Sequence, residues 1–283
     1  MPAQINIVFF AELNDLLPAY QRDTNFSYEI KKARSVKDLI ESIGVPHTEV
    51  DLIFVDDESV SPGYLIEGGE QIRVYPVSSN PKGTSLIHIY PMASTAPLFL
   101  LDVHLGRLVT YLRMLGFDTL YQNNYDDPTL ANISANENRT LLTCDRKLLM
   151  RKQVVQGYLV RSREPRQQIL EVLTRFNLFD HQSAIARCLR CNGRIQTVDK
   201  QAILAQLLPL TKKYYDKFYQ CDSCNKVYWE GSHYSKMQLL IEKIKNTENY
   251  PMVPVWTGPL PCRETVQKDQ LPPQASHSGN DPH

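Results

Sequence analysis

Four cysteines in two closely spaced pairs constrain the fold of this chain more than any other feature. Both pairs have the spacing Cys-x-x-Cys, at Cys188 and Cys191 and again at Cys221 and Cys224. Two thiolates on a tight turn reach one tetrahedral zinc ion at about 2.3 Å, and two such turns close a structural site. A redox dithiol is the main alternative, but the second copy favours zinc. The interval of 29 residues between the pairs exceeds the common ~15–20, which predicts a zinc ribbon with a helical insertion at 201–208.

Composition and the start of the chain narrow the class of protein. Apolar residues make up 42% of the 283 residues and charged residues 22%, a mixture typical of a folded globular protein. The longest apolar stretch covers residues 97–101, far short of the ~18 residues that span a bilayer, so we expect no membrane partner. The first ten residues contain no secretory signal. Six cysteines in so long a chain are not a disulfide scaffold, and four of them form close pairs, so cysteine usage predicts a reducing, cytoplasmic location. Cys144 and Cys262 stand alone.

The net charge of zero conceals an asymmetry along the chain. Residues 1–80 hold 6 Lys and Arg against 13 Asp and Glu, a balance of −7. Residues 81–180 hold 12 against 9, a balance of +3, and residues 181–245 hold 11 against 5, a balance of +6. An acidic head followed by a basic body predicts that the body binds a polyanion. The alternative is a chance swing in surface charge.

Residues 1–78 have the pattern of a β-grasp domain, in which one helix packs on a small mixed sheet. Strands are predicted at 5–10, 26–30, 51–55 and 71–77. A helix runs from an N-cap at Ser35 to a stop at Gly44. The pattern resembles the ubiquitin-like domain of sulfur carriers, which act through a free C-terminal Gly-Gly. Gly68-Gly69 instead precedes the last strand and predicts a turn. We therefore expect this domain to bind, mask or position another group, and a protein is one possible partner.

Strands and helices alternate after a linker predicted at residues 79–96. Apolar strands are predicted at 97–101, 118–121, 140–143 and 158–160. Helices begin near Leu105, at Asp127-Pro128 and at Pro165. The alternation predicts a parallel α/β sheet over residues 97–181. The zinc ribbon is predicted at 182–245, and residues 246–283, with 7 of the 18 prolines, predict a disordered tail.

Carboxylates follow two of the predicted strands. Asp102 and Asp145 each stand where an apolar strand ends, which is the edge at which α/β sheets place ligands. Asp127 begins a helix between them. Three carboxylates meeting at that edge would be hard oxygen ligands for Mg²⁺ or Mn²⁺, ions that promote phosphodiester hydrolysis. Asp127 has a second interpretation, because an Asp before Pro is also a common helix cap.

Basic residues flank these carboxylates. Arg107 and Arg113 lie on the first predicted helix, and Arg146 and Lys147 directly follow Asp145. We predict that these four side chains contact phosphates of a nucleic acid. The alternative is a solvent-facing helix surface, which is the usual role of a run of charge. Arg107 and Arg113 are six residues apart and do not share one stripe of the helix.

Several longer segments resemble a known family. They are Leu100-Leu101-Asp102, Leu112-Arg113-Met114-Leu115-Gly116-Phe117-Asp118-Thr119, Asp127-x-x-Leu130, Thr143-Cys144-Asp145-Arg146, Arg187-Cys188-Leu189-x-Cys191-Asn192 and Val227-Tyr228-Trp229-x-Gly231-Ser232-His233-Tyr234. In this order they resemble the Mut-seven C-terminal RNase domain. Residues 1–78 resemble the ubiquitin-like domain often fused in front of it, so the likeness covers about residues 1–237.

The resemblance implies a fold and a set of site residues. It implies a PIN-like parallel sheet with helices on both faces, placed between a β-grasp domain and a zinc ribbon. The family's acidic residues match Asp102, Asp127 and Asp145, and its zinc ligands match Cys188, Cys191, Cys221 and Cys224. Cys144 stands where the family usually has an arginine, and Glu137 and Glu164 are candidates for a fourth acid.

The resemblance also implies an activity, namely a metal-dependent ribonuclease that uses Mg²⁺ or Mn²⁺. Attack by water would leave a 5′-phosphate and a 3′-hydroxyl, and the zinc ribbon would assist RNA binding. RNA is the implied partner, with tRNA or another structured RNA among the candidates. The alternative hypothesis is a non-catalytic RNA-binding or regulatory module. The presence of all three motif aspartates favours the enzyme.

Overall fold

The computed structural model describes residues 3–79, 86–89, 97–179 and 187–231, together with residues 239 and 242. Most of the predicted linker and all of the predicted tail at 246–283 lie outside these ranges. In the described part of the chain, none of the helices combines the length and hydropathy of a transmembrane segment. The described residues form three units in the predicted order, each with its own main sheet.

The first unit is a β-grasp domain. Its strands are β1 (Ala3–Phe9), β2 (Phe26–Ile30), β3 (Arg34–Ser35), β4 (Val50–Val55), β5 (Glu58–Ser59), β6 (Leu65–Ile66) and β7 (Gln71–Pro76), and its helix is α1 (Val36–Ile43). Five strands form a mixed sheet in the order β2-β1-β7-β4-β5, in which β1 and β7 are parallel. The apolar side of α1 joins the core of this sheet through Val36, Leu39 and Ile40. The predicted mixed sheet with one helix is confirmed.

Local sequence signals explain where α1 begins and ends and why a turn precedes β7. Ser35 caps α1, because its hydroxyl accepts a hydrogen bond from the Asp38 N–H at 3.1 Å. Gly44 ends the helix with a φ of 110°, a left-handed conformation that favours glycine. Gly68, with a φ of 119°, lies so close to Ala3 that an added Cβ would be 2.3 Å from the Ala3 Cβ. The Gly68-Gly69 pair is therefore a turn.

The second unit is a four-stranded parallel sheet. Its strands are β8 (Phe99–Leu101), β9 (Thr119–Leu120), β10 (Thr140–Thr143) and β11 (Gly157–Leu159), and its helices are α2 (Gly106–Met114), α3 (Asp127–Glu137), α4 (Arg146–Leu149) and α5 (Pro165–Arg175). The strand order is β11-β10-β8-β9, with every neighbouring pair parallel. After β8, the chain first forms β9 on one side of β8 and later forms β10 on the other side of β8. The strand order therefore reverses between β8 and β10.

Different elements cover the two faces of the parallel sheet. On one face, Phe99 and Leu101 pack against residues of α2 and α5. On the other face, Leu100 and Leu141 belong to a core that includes residues of α3 and α4 and much of the β-grasp domain. Helices on both faces are confirmed, and the β-grasp domain contributes to the covering of the second face.

Buried polar contacts join the β-grasp domain to the parallel sheet. The Glu49 side chain, on a 3-10 turn before β4, is 2% exposed. Its Oε2 accepts a hydrogen bond from Arg161 Nη2 at 2.7 Å, and its Oε1 accepts one from the Leu159 N–H at 2.7 Å. In the same turn, His47 Nε2 lies 2.8 Å from the carbonyl oxygen of Val154. The two units thus share a core that contains a buried ion pair.

The third unit is a three-stranded antiparallel sheet with the predicted insertion. Its strands are β12 (Ile195–Val198), β13 (Phe218–Cys221) and β14 (Val227–Trp229), in that order. Between β12 and β13 lie a 3-10 turn (Gln201–Gln206) and α6 (Pro209–Tyr214). The helix therefore lies later than predicted, because Pro209 begins it and the 201–208 segment forms the 3-10 turn instead.

Candidate functional site

Two of the predicted acidic residues lie at neighbouring strand ends of the parallel sheet. Asp102 directly follows β8, and Asp145 follows β10 after one intervening residue. Strands β8 and β10 are hydrogen-bonded neighbours, and the strand order reverses between them. Open α/β sheets bind ligands outside the carboxyl ends of the strands at such a reversal. Both carboxylates therefore lie where this class of fold forms its binding crevice.

Thr143 connects the two aspartates. Its hydroxyl donates to Asp102 Oδ2 at 2.8 Å and accepts from the Asp145 N–H at 3.0 Å. Asp145 Oδ1 in turn accepts from the Lys147 N–H at 2.8 Å, which caps the short helix α4. These contacts hold both carboxylates in place through a buried hydroxyl and the backbone.

Asp102 is a buried carboxylate without a cationic partner in the described ranges. It is 7% exposed, and Thr143 is the one described side chain hydrogen-bonded to it. No described Lys, Arg or His forms an ion pair with it. Burying a carboxylate without a paired positive charge is costly. A bound cation would offset that cost.

Asp127 lies at the same edge of the sheet, but it does not cap its helix. Helix α3 returns from the carboxyl end of β9, so its first residue lies at the carboxyl edge. The cap is Asp126, whose Oδ1 accepts from the Thr129 N–H at 2.9 Å. Asp127 Oδ2 lies 3.5 Å from Arg151 Nη2, with about half of its side chain exposed (49%). The interpretation of Asp127 as the helix cap is wrong.

The three aspartates do not form a closed metal cage. Among the described residues, the four cysteines are the one group of three or more Cys, His, Asp or Glu whose ligand atoms all lie within 4.8 Å of one another. Mg²⁺ usually needs only one or two carboxylates, because waters and substrate phosphates complete its shell. Asp102 and Asp145, both hydrogen-bonded to Thr143, supply two carboxylates at this edge, and Asp127 supplies a third that is about half exposed.

Neither candidate for a fourth acid combines a place at the carboxyl edge with a carboxylate that is not engaged elsewhere. Glu137 ends α3 at the opposite edge of the sheet, where its Oε2 accepts from Arg139 Nε at 2.6 Å. Glu164 lies at the carboxyl edge, after β11, but its Oε2 accepts from the Gln167 N–H at 2.9 Å and caps α5. Glu137 is therefore remote from the candidate site, and Glu164 is engaged as a cap.

The four cysteines converge on one point. Their sulfur atoms all lie within 4.8 Å of one another, with 3.6 Å between Cys188 and Cys224 and 3.4 Å between Cys191 and Cys221. Four sulfurs at about 2.3 Å from one tetrahedral zinc ion lie about 3.8 Å apart. The cluster can therefore bind zinc.

In the first of the two cysteine turns, the surroundings favour a thiolate at Cys188 but not at Cys191, whose pKa is raised by burial. Burial raises the pKa of Cys188, but hydrogen bonds from the Tyr228 hydroxyl and from the N–H groups of Cys191 and Arg190 outweigh it and lower that pKa to about 6. The Tyr228 oxygen lies 3.0 Å from the Cys188 sulfur. Zinc binds the deprotonated form of cysteine, so the surroundings of Cys188 suit a metal ligand.

Comparison with known protein families identifies the relationship. The Mut7-C RNAse domain matches residues 97–241, just over half of the 283-residue chain, and the Mut7-C ubiquitin family matches residues 2–82. This chain belongs to the Mut7-C RNAse domain family. The resemblance seen in the sequence is thereby confirmed. No curated protein and no solved structure matches the chain.

The Mut7-C RNAse domain exposes two of the four basic residues that we predict to contact RNA. Arg107, in the first turn of α2, and Lys147, in α4, are exposed. Arg146 is half-buried, and its Nη1 donates to the carbonyl oxygen of Leu16 in the β-grasp domain at 2.8 Å. Arg107 and Lys147 thus have the exposure that a phosphate contact requires, whereas Arg146 also has a structural role.

Arg113 is buried, and this corrects the prediction that it contacts RNA. It is 4% exposed, and its Nε and Nη2 donate to the Thr119 carbonyl at 3.1 and 2.9 Å. Its Nη1 donates to the Leu189 carbonyl, between the cysteines of the first pair, at 2.9 Å. Asn192 reinforces this junction, because its Oδ1 accepts from the Thr119 N–H at 2.9 Å. Arg113 therefore fastens the zinc ribbon to the parallel-sheet unit, within the Mut7-C RNAse domain.

Thr143 and Arg163 also lie at this edge of the sheet, and neither was predicted as a candidate site residue. The position of Thr143 at the end of an apolar strand gave no sign of its contacts, since these depend on the pairing of β8 with β10. Arg163 lines a pocket together with His104 and Arg107. A signal for Arg163 was present, because it follows β11 at the same edge of the Mut7-C sheet as Asp102 and Asp145.

Proposed function

We propose that this chain hydrolyses RNA phosphodiester bonds at the carboxyl edge of its parallel sheet. The observation that carries the proposal is Asp102, a carboxylate that is 7% exposed, has no cationic partner in the described ranges and lies where the strand order reverses. Asp145 lies at the neighbouring strand end. Membership in the Mut7-C RNAse domain family supports the reaction class.

The donor set fits a divalent cation such as Mg²⁺ or Mn²⁺, which prefers carboxylate oxygens. Asp102 and Asp145 would hold it, with Asp127 contributing from the same edge of the sheet. Such an ion, when bound, lowers the pKa of water and neutralises charge on the reacting phosphate. The described contacts fix one oxygen of each main carboxylate, Asp102 Oδ2 by Thr143 and Asp145 Oδ1 by the Lys147 N–H. The second oxygen of each has no described hydrogen-bond partner.

The basic body would hold the RNA strand. Arg107 and Lys147 are exposed near the two aspartates along the chain, and residues 181–245 carry a balance of +6. Lys and Arg contacts to phosphates supply affinity that falls as salt rises. We propose that the zinc ribbon assists RNA binding from a fixed position, because Arg113 and Asn192 fasten it to the sheet.

The purified chain is expected to contain one tightly bound zinc ion. Elemental analysis of protein prepared without chelators measures it. Cys221→Ser removes one thiolate of the cluster and is expected to reduce the zinc content. Cys144→Ser is the matched control, because Cys144 lies outside the cluster, next to the core of the parallel sheet, and this variant keeps its zinc. A folded wild-type chain without zinc would contradict the assignment.

End-labelled RNA is expected to be cut by the zinc-loaded chain when Mg²⁺ or Mn²⁺ is added, and not when both are omitted. Omission is preferable to a chelator, which would also remove structural zinc. Because water rather than the 2′-hydroxyl attacks, the products carry a 5′-phosphate and a 3′-hydroxyl. The substrates are tRNA precursors, an unstructured RNA and a DNA of the same sequence. RNA that is bound but never cut would instead establish the non-catalytic RNA-binding module.

A further inference from the structure

A pocket lies beside the candidate site, on the side of the sheet that α2 and α5 cover. Its volume is about 480 Å³, and its lining residues are His104, Gly106, Arg107, Arg163, Pro165 and Gln168. His104 follows Asp102 by two residues, and two residues of chain span at most about 7 Å. The pocket is therefore adjacent to the buried carboxylate.

The lining of this pocket is basic. Arg107 and Arg163 are both exposed, and a guanidinium group keeps its charge throughout the physiological pH range. His104 adds an imidazole that donates a hydrogen bond even when neutral. The lining contains no Asp or Glu. The nearest acidic residue in sequence, Glu164, directs its carboxylate to the Gln167 N–H at 2.9 Å.

Two helices begin at the pocket. Gly106 is the first residue of α2, which has 9 residues, and Pro165 is the first residue of α5, which has 11. Helix N-termini carry a partial positive charge and backbone N–H groups without helical partners, which together favour anions. The N-terminus of α2 reinforces the charges of the two arginines, whereas that of α5 is already capped by the Glu164 carboxylate.

The walls of the pocket are held by packing. Helices α2 and α5 share one buried core, to which Leu108 and Ile169 contribute, each 0% exposed. Gln168 is 6% exposed, and its Nε2 donates to the carbonyl oxygen of Ser162 at 2.9 Å. This bond ties the segment carrying Arg163 to α5. The backbone segments that carry the positive groups are therefore held in place.

We propose that this pocket is a phosphate-binding subsite, which holds one phosphate of the RNA strand while the neighbouring phosphodiester lies at Asp102 and Asp145. The subsite rests on the proposed ribonuclease function. Its ligand is a phosphate group that comes either from the terminal monoester of a strand or from an internal diester. Arg107 and Arg163 bind the phosphate oxygens, and the N-terminus of α2 adds to the positive potential.

Binding of small phosphates tests the subsite without any cleavage. The zinc-loaded full chain, without Mg²⁺ or Mn²⁺, is titrated with AMP, with inorganic phosphate and with the dinucleotide ApA, which has a diester but no terminal phosphate. We expect AMP to shift the amide resonances of residues 104–107 and 163–168. Arg107→Gln and Arg163→Gln are each expected to weaken AMP binding about tenfold, since each removes charge-assisted hydrogen bonds.

Arg166→Gln is the matched control, because Arg166 is exposed on α5, three residues from Arg163, and does not line the pocket. It is expected to bind AMP as the wild type does. Binding of AMP but not ApA supports a subsite for a terminal monoester, and comparable binding of both supports one for an internal diester. Equal affinity for AMP in the wild type and both pocket variants, or shifts confined to other residues, would overturn the proposal.

The two proposals fail separately. If the pocket variants and the wild type bind AMP equally while RNA is cut in a metal-dependent way, the subsite is wrong and the ribonuclease stands. If AMP binds in the pocket as expected but the wild type cuts no RNA, the ribonuclease is wrong and the pocket remains an anion site.

Discussion

Replacing Asp102 or Asp145 by asparagine is expected to lower the rate of RNA cleavage by on the order of a hundredfold or more, while the protein stays folded. Asparagine has nearly the same shape as aspartate but lacks the negative charge that would hold a divalent cation. Its side-chain oxygen still accepts hydrogen bonds, so the new amide in Asp145→Asn would cap α4, and the one in Asp102→Asn would keep the contact with Thr143. The loss would therefore report on charge rather than on folding.

Asp126→Asn is the control for this experiment. Asp126 is exposed at the same edge of the sheet, and asparagine preserves its cap on α3. Single-turnover rates with saturating enzyme measure cleavage, and thermal unfolding checks that each variant is folded. We expect Asp126→Asn to cut RNA at the wild-type rate. Full activity in both Asp102→Asn and Asp145→Asn would exclude this edge of the sheet as the catalytic site.

Replacing Glu49 by glutamine is expected to lower the free energy of unfolding by about 3–5 kcal/mol, as is typical when one partner of a buried ion pair is removed. Glu49 and Arg161 are almost fully enclosed, at 2% and 9% exposure. Burial lowers the pKa of Arg161, but Glu49, together with Tyr158 and Glu171, outweighs this effect and raises the pKa above its ordinary value. Without that carboxylate, a charged guanidinium would remain in the interior.

Urea unfolding of the full chain, followed by circular dichroism, measures this loss. Glu58→Gln is the matched control, because Glu58 is exposed in the same domain and a surface change there is expected to stay within about 0.5 kcal/mol. The double variant Glu49→Gln with Arg161→Met removes both charges and is expected to be less destabilised than the sum of the two single variants. A loss below about 1 kcal/mol for Glu49→Gln would mean that the pair does not stabilise the junction, given the magnitude typical of buried pairs.

Local signals were enough to predict the elements and several site positions. The caps Ser35 and Gly44, the apolar strands and the two cysteine turns are each encoded within a few residues. Asp102 and Asp145 were placed correctly at strand ends, because an apolar strand followed by a carboxylate is a local pattern. The capping residue of α3 was not predicted correctly, because adjacent aspartates before a proline allow either Asp126 or Asp127 to be the cap.

Contacts between distant parts of the chain could not be read from the sequence. Arg113 looked like a surface arginine on an amphipathic helix, yet its partners include Leu189, which is 76 residues away. Glu49 and Arg161 are 112 residues apart and look like ordinary surface charges until the two units meet. Thr143 donates a hydrogen bond to Asp102, which follows β8 and is 41 residues earlier. In each case a polar side chain is buried by an element that its own neighbourhood does not reveal.

The core shared by the β-grasp domain and the parallel sheet affects how the two units fold together during synthesis. The β-grasp domain leaves the ribosome first and can fold while the rest is still being synthesised. It then offers a prepared surface to β10 and α4, whose Arg146 reaches the carbonyl of Leu16. The segment that carries Asp145 would thus be assembled against a partner already in the same chain. Separated from that partner, the sheet would expose an apolar face prone to aggregation.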